Sequence, residues 1–154
     1  MHSDPNQFPQ DVVELKGYLS STCHPQQRVT AVPGFGSQVP LYILGSSLFG
    51  AQLAAILGLP FAFASHFAPD AMMRAIKLYR QEFEPSEQLA QPHVILGYNI
   101  CAADTEEEAL LLRSSGLQAF LNLRSGTPGP LPKPNERFEE ELSDAQRGML
   151  QQVS

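Results

Sequence analysis

Three residues in a row, Gly45-Ser46-Ser47, stand between the apolar run "LYIL" (41–44) and the uncharged stretch "LFGAQLAAIL" (48–57). A strand that stops at small polar residues where a helix begins makes an anion site. The first N–H groups of a helix lack intrahelical acceptors, the helix dipole favours negative charge, and small side chains let a phosphate come close. Ser46 and Ser47 add hydroxyl donors. A plainer role is open to the same residues, in which Ser47 only caps the helix and Gly45 only turns the chain.

His66 is the second chemical candidate. It follows the apolar run "PFAFAS" (60–65), at the carboxyl end of a strand, where parallel α/β folds put their chemistry. A satisfied structural histidine is the competing reading. Phe61, Phe63 and Phe67 alternate, as either a flat pocket wall or plain core. Asn99, polar within an apolar strand, lines a pocket if it faces inward. His2, His24 and His93 show no ligand spacing, and no metal site is expected. Cys23 and Cys101 are far apart without CxxC neighbours, and read as reduced thiols of a cytoplasmic protein.

The elements that must position these residues follow from periodicity. "FPQDVVELKGYLSS" (8–21) sets Val12, Leu15 and Leu19 at helical spacing. Prolines and glycines make 29–40 a loop. "LYILG" (41–45) is a short strand compatible with burial on both faces. Ser46 or Ser47 then caps a helix over about 48–57, with Gly58 at its left-handed end. After the strand at 60–65, "APDAMMRAIKLYRQEF" (68–83) places Met72, Ile76, Tyr79 and Phe83 on one helical face. "HVILGYNICAA" (93–103) is a longer strand, followed by a helix whose start pairs Asp104 with Glu107 at capping-box spacing. "TEEEA" (105–109) is a first turn that suits the helix dipole, and "FEEEL" (138–142) is a solvated face. The alternation of strand and helix implies right-handed crossovers and a parallel sheet.

The 154 residues carry 43% hydrophobic and 17% charged side chains, enough for one domain with a core. A net charge of −6 argues against nucleic acid and against an anionic membrane surface as partners. "MHSDPNQFPQ" has no apolar core after a basic start, and the apolar runs are too short and interrupted to span a bilayer.

Three blocks together, "VPLYILGSSLFGAQLAAILGLPFAFASHFAP" (39–69), "IKLYRQEFEPSEQL" (76–89) and "NICAADTEEEALLL" (99–112), resemble the bacterial luciferase-like flavin monooxygenases. The resemblance runs from about Phe8 to Leu150. It implies a (β/α)8 TIM-type barrel and an oxidoreductase that uses reduced FMN and O2 on a small organic substrate, with a flavin reductase among its partners. It places the flavin phosphate at Gly45, Ser46 and Ser47, with Phe49 and Gly50 in the following turn. Gly50 lacks the hydroxyl common there, which would leave one phosphate contact to backbone or water. The strand ending at Ala64, Ser65 and His66 resembles one that lines the flavin or substrate pocket.

A complete barrel of this type takes about 250 residues. The fold expected here is therefore α/β and a partial barrel of about three parallel strands, a middle section and a truncated copy. Residues 1–126 would form the barrel part. Residues 127–154 would form a proline-rich linker, mobile over 127–135, and one short terminal helix that leads nowhere. Exposed sheet edges and bare helix-facing surfaces predict self-association. The alternative to an enzyme is a non-catalytic α/β remnant or accessory module without turnover.

Overall fold

The computed structural model describes residues 7–22, 27–66 and 69–151. Cys23, His2, His24 and Phe67 lie outside them. The elements run α1 (Phe8–Leu19), β1 (Ile43–Gly45), α2 (Leu48–Ile56), β2 (Phe61–Phe63), a 3-10 turn (Pro69–Ala71), α3 (Met72–Glu82), β3 (Val94–Leu96), α4 (Glu106–Arg124), α5 (Phe138–Glu141) and α6 (Asp144–Leu150).

The strands form one sheet in the order β1-β2-β3, all parallel, with Ile43, Phe61 and Val94 in one register row and Leu44, Ala62 and Ile95 in the next. Each is shorter than the apolar text predicts. The strand expected over 93–103 keeps three residues, because β2 offers a ladder only three residues long. Asn99 therefore lies beyond the strand, exposed in an irregular segment.

Alternation along each strand divides the sheet into two faces. Ile43, Phe61 and Phe63 point under α2 and α3 and are buried with Leu53, Ala54, Ala55, Ala75 and Tyr79. Phe61 and Tyr79 rings lie 5.6 Å apart, and Phe61 and Phe63 meet edge-on at 6.0 Å. Phe61 and Phe63 are thus core, and not a pocket wall. Tyr79 donates its hydroxyl to Leu59 O at 2.9 Å and accepts from His93 N–H at 3.1 Å, so its buried oxygen is satisfied. Burial pushes its pKa above the ordinary value, and the His93 bond works the other way.

The opposite face is bare. Leu44 is 71% exposed and Ile95 41%, with half-buried Ala62 between them. This corrects two expectations. β1 is covered on one face only, and the uncovered apolar surface is the face away from the helices, since α2 and α3 cover their own side.

Helix boundaries show the local chemistry. Gly58 adopts φ +61°, where a Cβ would also come within 2.5 Å of Ser86 Cβ, so both backbone and space require glycine. The expected helix over 68–83 opens as the 3-10 turn, then buries Ala75, Ile76 and Tyr79, with Met72 and Phe83 packed at the margin. On α1 Val12 is buried and Leu19 half-buried, but Leu15 is exposed. The cap of α4 is Thr105 and not Asp104. Its side chain accepts from Glu108 N–H at 3.2 Å.

The terminal segment forms two helices instead of one, divided at Leu142–Ser143, where Ser143 and Gln146 build a full capping box. They lead back onto α4. Leu121, Phe138 and Leu150 are buried together, with Leu117, Phe120 and Leu142 around them. The end of the proline-rich segment is anchored to α4, because Gln118 Nε2 donates to Lys133 O at 3.1 Å and Asn135 N–H donates to Ser114 Oγ at 2.8 Å.

Candidate functional site

In a parallel sheet all strands finish on one side, and here that edge collects the residues singled out from the sequence. Gly45, Phe63 and Leu96 share the last register row. The chain leaves β1 through Ser46 and Ser47, β2 through Ala64, Ser65 and His66, and β3 through Gly97 to Asn99.

At the first of these exits Ser47 is the N-cap of α2, with an extended backbone at φ −137° and ψ 166°, but its side chain makes no cap hydrogen bond. The first intrahelical bond runs from Ala51 N–H to Ser47 O at 3.4 Å. Among the described residues no acceptor is paired with the N–H of Leu48, Phe49 or Gly50. The first turn of α2 holds no acidic residue. Ser46 and Ser47 are exposed, as is Phe49. Donors, hydroxyls and the positive end of a helix thus face outward together.

Gly45 and Gly50 pack against each other over Phe61. A Cβ on Gly45 would lie 3.7 Å from Gly50 Cα, and one on Gly50 would lie 3.6 Å from Phe61 Cε2 and 3.9 Å from Ile43 Cγ2. The side-chain direction at 50 is therefore inward and Gly50 is itself buried, so its part at the helix start is limited to its unpaired N–H.

At the second exit Ser65 is 9% exposed and donates from Oγ to Gly97 O at 2.6 Å. Asn99 Nδ2 donates to His66 O at 3.1 Å. The His66 imidazole lies against Gly97, where a Cβ would overlap Nδ1 and come within 3.2 Å of Cε1 and 3.4 Å of Cγ. His66 is itself exposed. Ser65 was named with its strand end, but nothing in the sequence alone marked Gly97 or the bond between the two. Their roles depend on two strand ends meeting, and a lone glycine after a strand carries no such signal.

The luciferase-like monooxygenase family matches residues 8–154. The chain belongs to that family. A luciferase-like monooxygenase of Escherichia coli (strain K12) is 45% identical over 153 residues, covering 99% of this chain and 45% of that protein. The uncharacterized protein YvbT of Bacillus subtilis (strain 168) is 43% identical over 143 residues, covering 93% of this chain and 43% of that protein. The chain spans less than half the length of these curated relatives. The crystal structure of apo-MsnO8 superposes with a TM-score of 0.74 at 24% identity, over 96% of this chain and 42% of that one, a likeness of fold.

Further features of this luciferase-like chain bound the site. A cleft of about 1250 Å³ lies beside α1, lined by residues such as Val13, Gly17, Leu19 and Val29, and it contains none of the residues at the three strand exits. Among the described residues, no three His, Cys, Asp or Glu side chains group to hold a metal, and no helix is long and apolar enough to cross a membrane. Cys101 is a free, exposed thiol.

Proposed function

We propose that this chain carries the phosphate-binding side of an FMN site in a flavin-dependent luciferase-like monooxygenase. The observation that carries the reading is the start of α2, where an unused Ser47 hydroxyl and unpaired N–H groups stand at the carboxyl edge of the sheet. That donor set fits a phosphate dianion. Ser46 and Ser47 would hold the phosphate through hydroxyls, and Leu48, Phe49 and Gly50 through backbone N–H groups. Phe49 would shield the cradle from water on its exposed side.

Reduced FMN, when bound, supplies the electrons that activate O2. What this chain's own residues do is simpler: they hold the anionic end of the cofactor and fix its orientation against the sheet edge. The barrel closure expected of such an enzyme, its small organic substrate and a flavin reductase partner all belong to this proposal. Saturable quenching of FMN fluorescence with a dissociation constant in about the micromolar range is the expected result. Absence of saturation at tens of micromolar overturns it.

A second reading is favoured by the bare face of Leu44, Ala62 and Ile95, which leaves a bound flavin ring without enclosure from this chain. It is a non-catalytic α/β module. Oxygen consumption with reduced FMN and an aldehyde panel separates the two, since turnover above the free-flavin rate excludes the second. The same face supports self-association, because contiguous exposed apolar surface favours pairing. The sedimentation coefficient should rise with concentration, and Leu44→Lys should flatten that rise. A wild-type monomer at every concentration would refute it.

A further inference from the structure

We propose that Gly97 and Asn99 are positioning residues for His66, and that His66 presents its Nε2 to an oxygen acceptor of the bound flavin mononucleotide. The second half rests on the FMN reading above, and the first half stands without it.

The geometry of the ring decides which nitrogen is presented. Of the imidazole atoms, Nδ1 lies nearest the Cβ direction of Gly97, with its two ring neighbours Cε1 and Cγ next at 3.2 and 3.4 Å. The vertex of the ring aimed at Gly97 is therefore Nδ1, and the far edge carries Nε2. Nδ1 lies over the Gly97 position, and Nε2 is the ring nitrogen left free to meet a ligand. With its proton on Nε2, His66 would act there as an N–H donor.

Two crossed hydrogen bonds hold this arrangement. Ser65 reaches forward to the Gly97 carbonyl, and Asn99 reaches back to the His66 carbonyl, at 2.6 and 3.1 Å. Together they clamp the exits of β2 and β3. The clamp stands beside the start of α2, because Gly45 and Phe63 are register partners on strands about 4.8 Å apart. Ala64 N–H also donates to Gly45 O at 3.0 Å, locking the two exits to each other. An acceptor on a ligand seated at α2 then has the His66 Nε2–H on the neighbouring strand end.

The test uses the full chain labelled with ¹⁵N and read by long-range imidazole correlation spectra. FMN, riboflavin and inorganic phosphate are added separately. The His66 Nε2 resonance should move with FMN. A matching shift with riboflavin places the acceptor on the flavin ring, and one with phosphate places it on the phosphate. No shift with any of the three overturns the presentation of Nε2, with exposed His93 as internal reference.

Mutants test the positioning. His66→Ala and Gly97→Ala should each weaken FMN binding about tenfold, the loss of one hydrogen bond to a ligand, and His66→Gln should recover most of it. In the His66→Ala background, Gly97→Ala should add nothing, since its methyl enters the space the ring has left. An equal loss in that background would make Gly97 merely structural and overturn the proposal. Should the wild type bind no FMN, the flavin reading fails separately. Gly97→Ala must still move the His66 Nδ1 resonance in the free protein, and an unmoved Nδ1 would refute the positioning.

Discussion

Helices α2 and α4 both begin after a strand, and both begin on a hydroxyl residue, but the two hydroxyls do different things. Thr105 turns its side chain onto Glu108 N–H, and Glu106, Glu107 and Glu108 fill the first turn of α4 with negative charge. Its positive end is consumed within the chain. Ser47 makes no such bond, and α2 carries no acid in its first turn. The start of α6 goes further than that of α4, with a reciprocal Ser143–Gln146 box. Helices α1, α3 and α5 also start without a side-chain cap, but on Gln7, Ala71 and Arg137, none of them a hydroxyl residue. The start of α2, where an available hydroxyl is left unused, lies at the carboxyl edge of the sheet, the place parallel folds reserve for ligands.

The difference also shows what holds α2 in place. With no cap contributing, its seat is its underside: Ala51, Leu53, Ala54 and Ala55 are buried on the sheet, and Phe61 lies beneath Gly45 and Gly50. The sharpest way to break the comparison is therefore Phe61→Ala. Emptying a fully buried aromatic site should cost about 3–5 kcal/mol in chemical denaturation. It should abolish FMN binding as α2 loses its seat. A loss below about 1 kcal/mol would mean that α2 is held by something else, and the case for a spare cap would fall.

Charge offers the next largest effect. Aspartate is as good an N-cap as serine, so Ser47→Asp should leave stability unchanged or slightly raised. It also sets a carboxylate where a phosphate is expected, so FMN affinity should fall about a hundredfold, a repulsion of roughly 3 kcal/mol for close charges at a protein surface. The matching change Thr105→Asp should leave FMN binding untouched. Equal effects at both positions would erase the distinction between the two starts.

How much of this was legible in the residues depends on whether the deciding partner was local. Gly58 was legible, because a left-handed helix end is a property of its own backbone. So was the order of strands and helices, and the meeting of Gly45, Ser46, Ser47 and His66 along one edge. The length of β3 was not, since "HVILGYNICAA" is mostly apolar well past Leu96 and only the three-residue ladder of β2 says where pairing ends. The covered face was hidden for a related reason: Leu44 and Phe61 are equally apolar, and the packing of α2 and α3 alone decides which is core. Asp104 and Thr105 each have a glutamate three residues on, so spacing could not choose the cap. Gly97 needed the tertiary contact with His66.

The smallest expected effect is the most direct reading of the comparison, and it needs both alanine variants. Thr105→Ala removes a formed cap bond and should cost about 1 kcal/mol of stability, with no change in FMN affinity. Ser47→Ala removes a hydroxyl that bonds nothing in the chain, so its cost should stay within about 0.5 kcal/mol. Its FMN affinity should nevertheless drop about fivefold to tenfold, the worth of one hydrogen bond to a charged group. The two variants thus move opposite readouts, one the denaturation midpoint and the other the binding isotherm. If Ser47→Ala instead loses stability like Thr105→Ala and binds FMN as the wild type does, Ser47 is a cap in solution, and the start of α2 belongs to the fold alone.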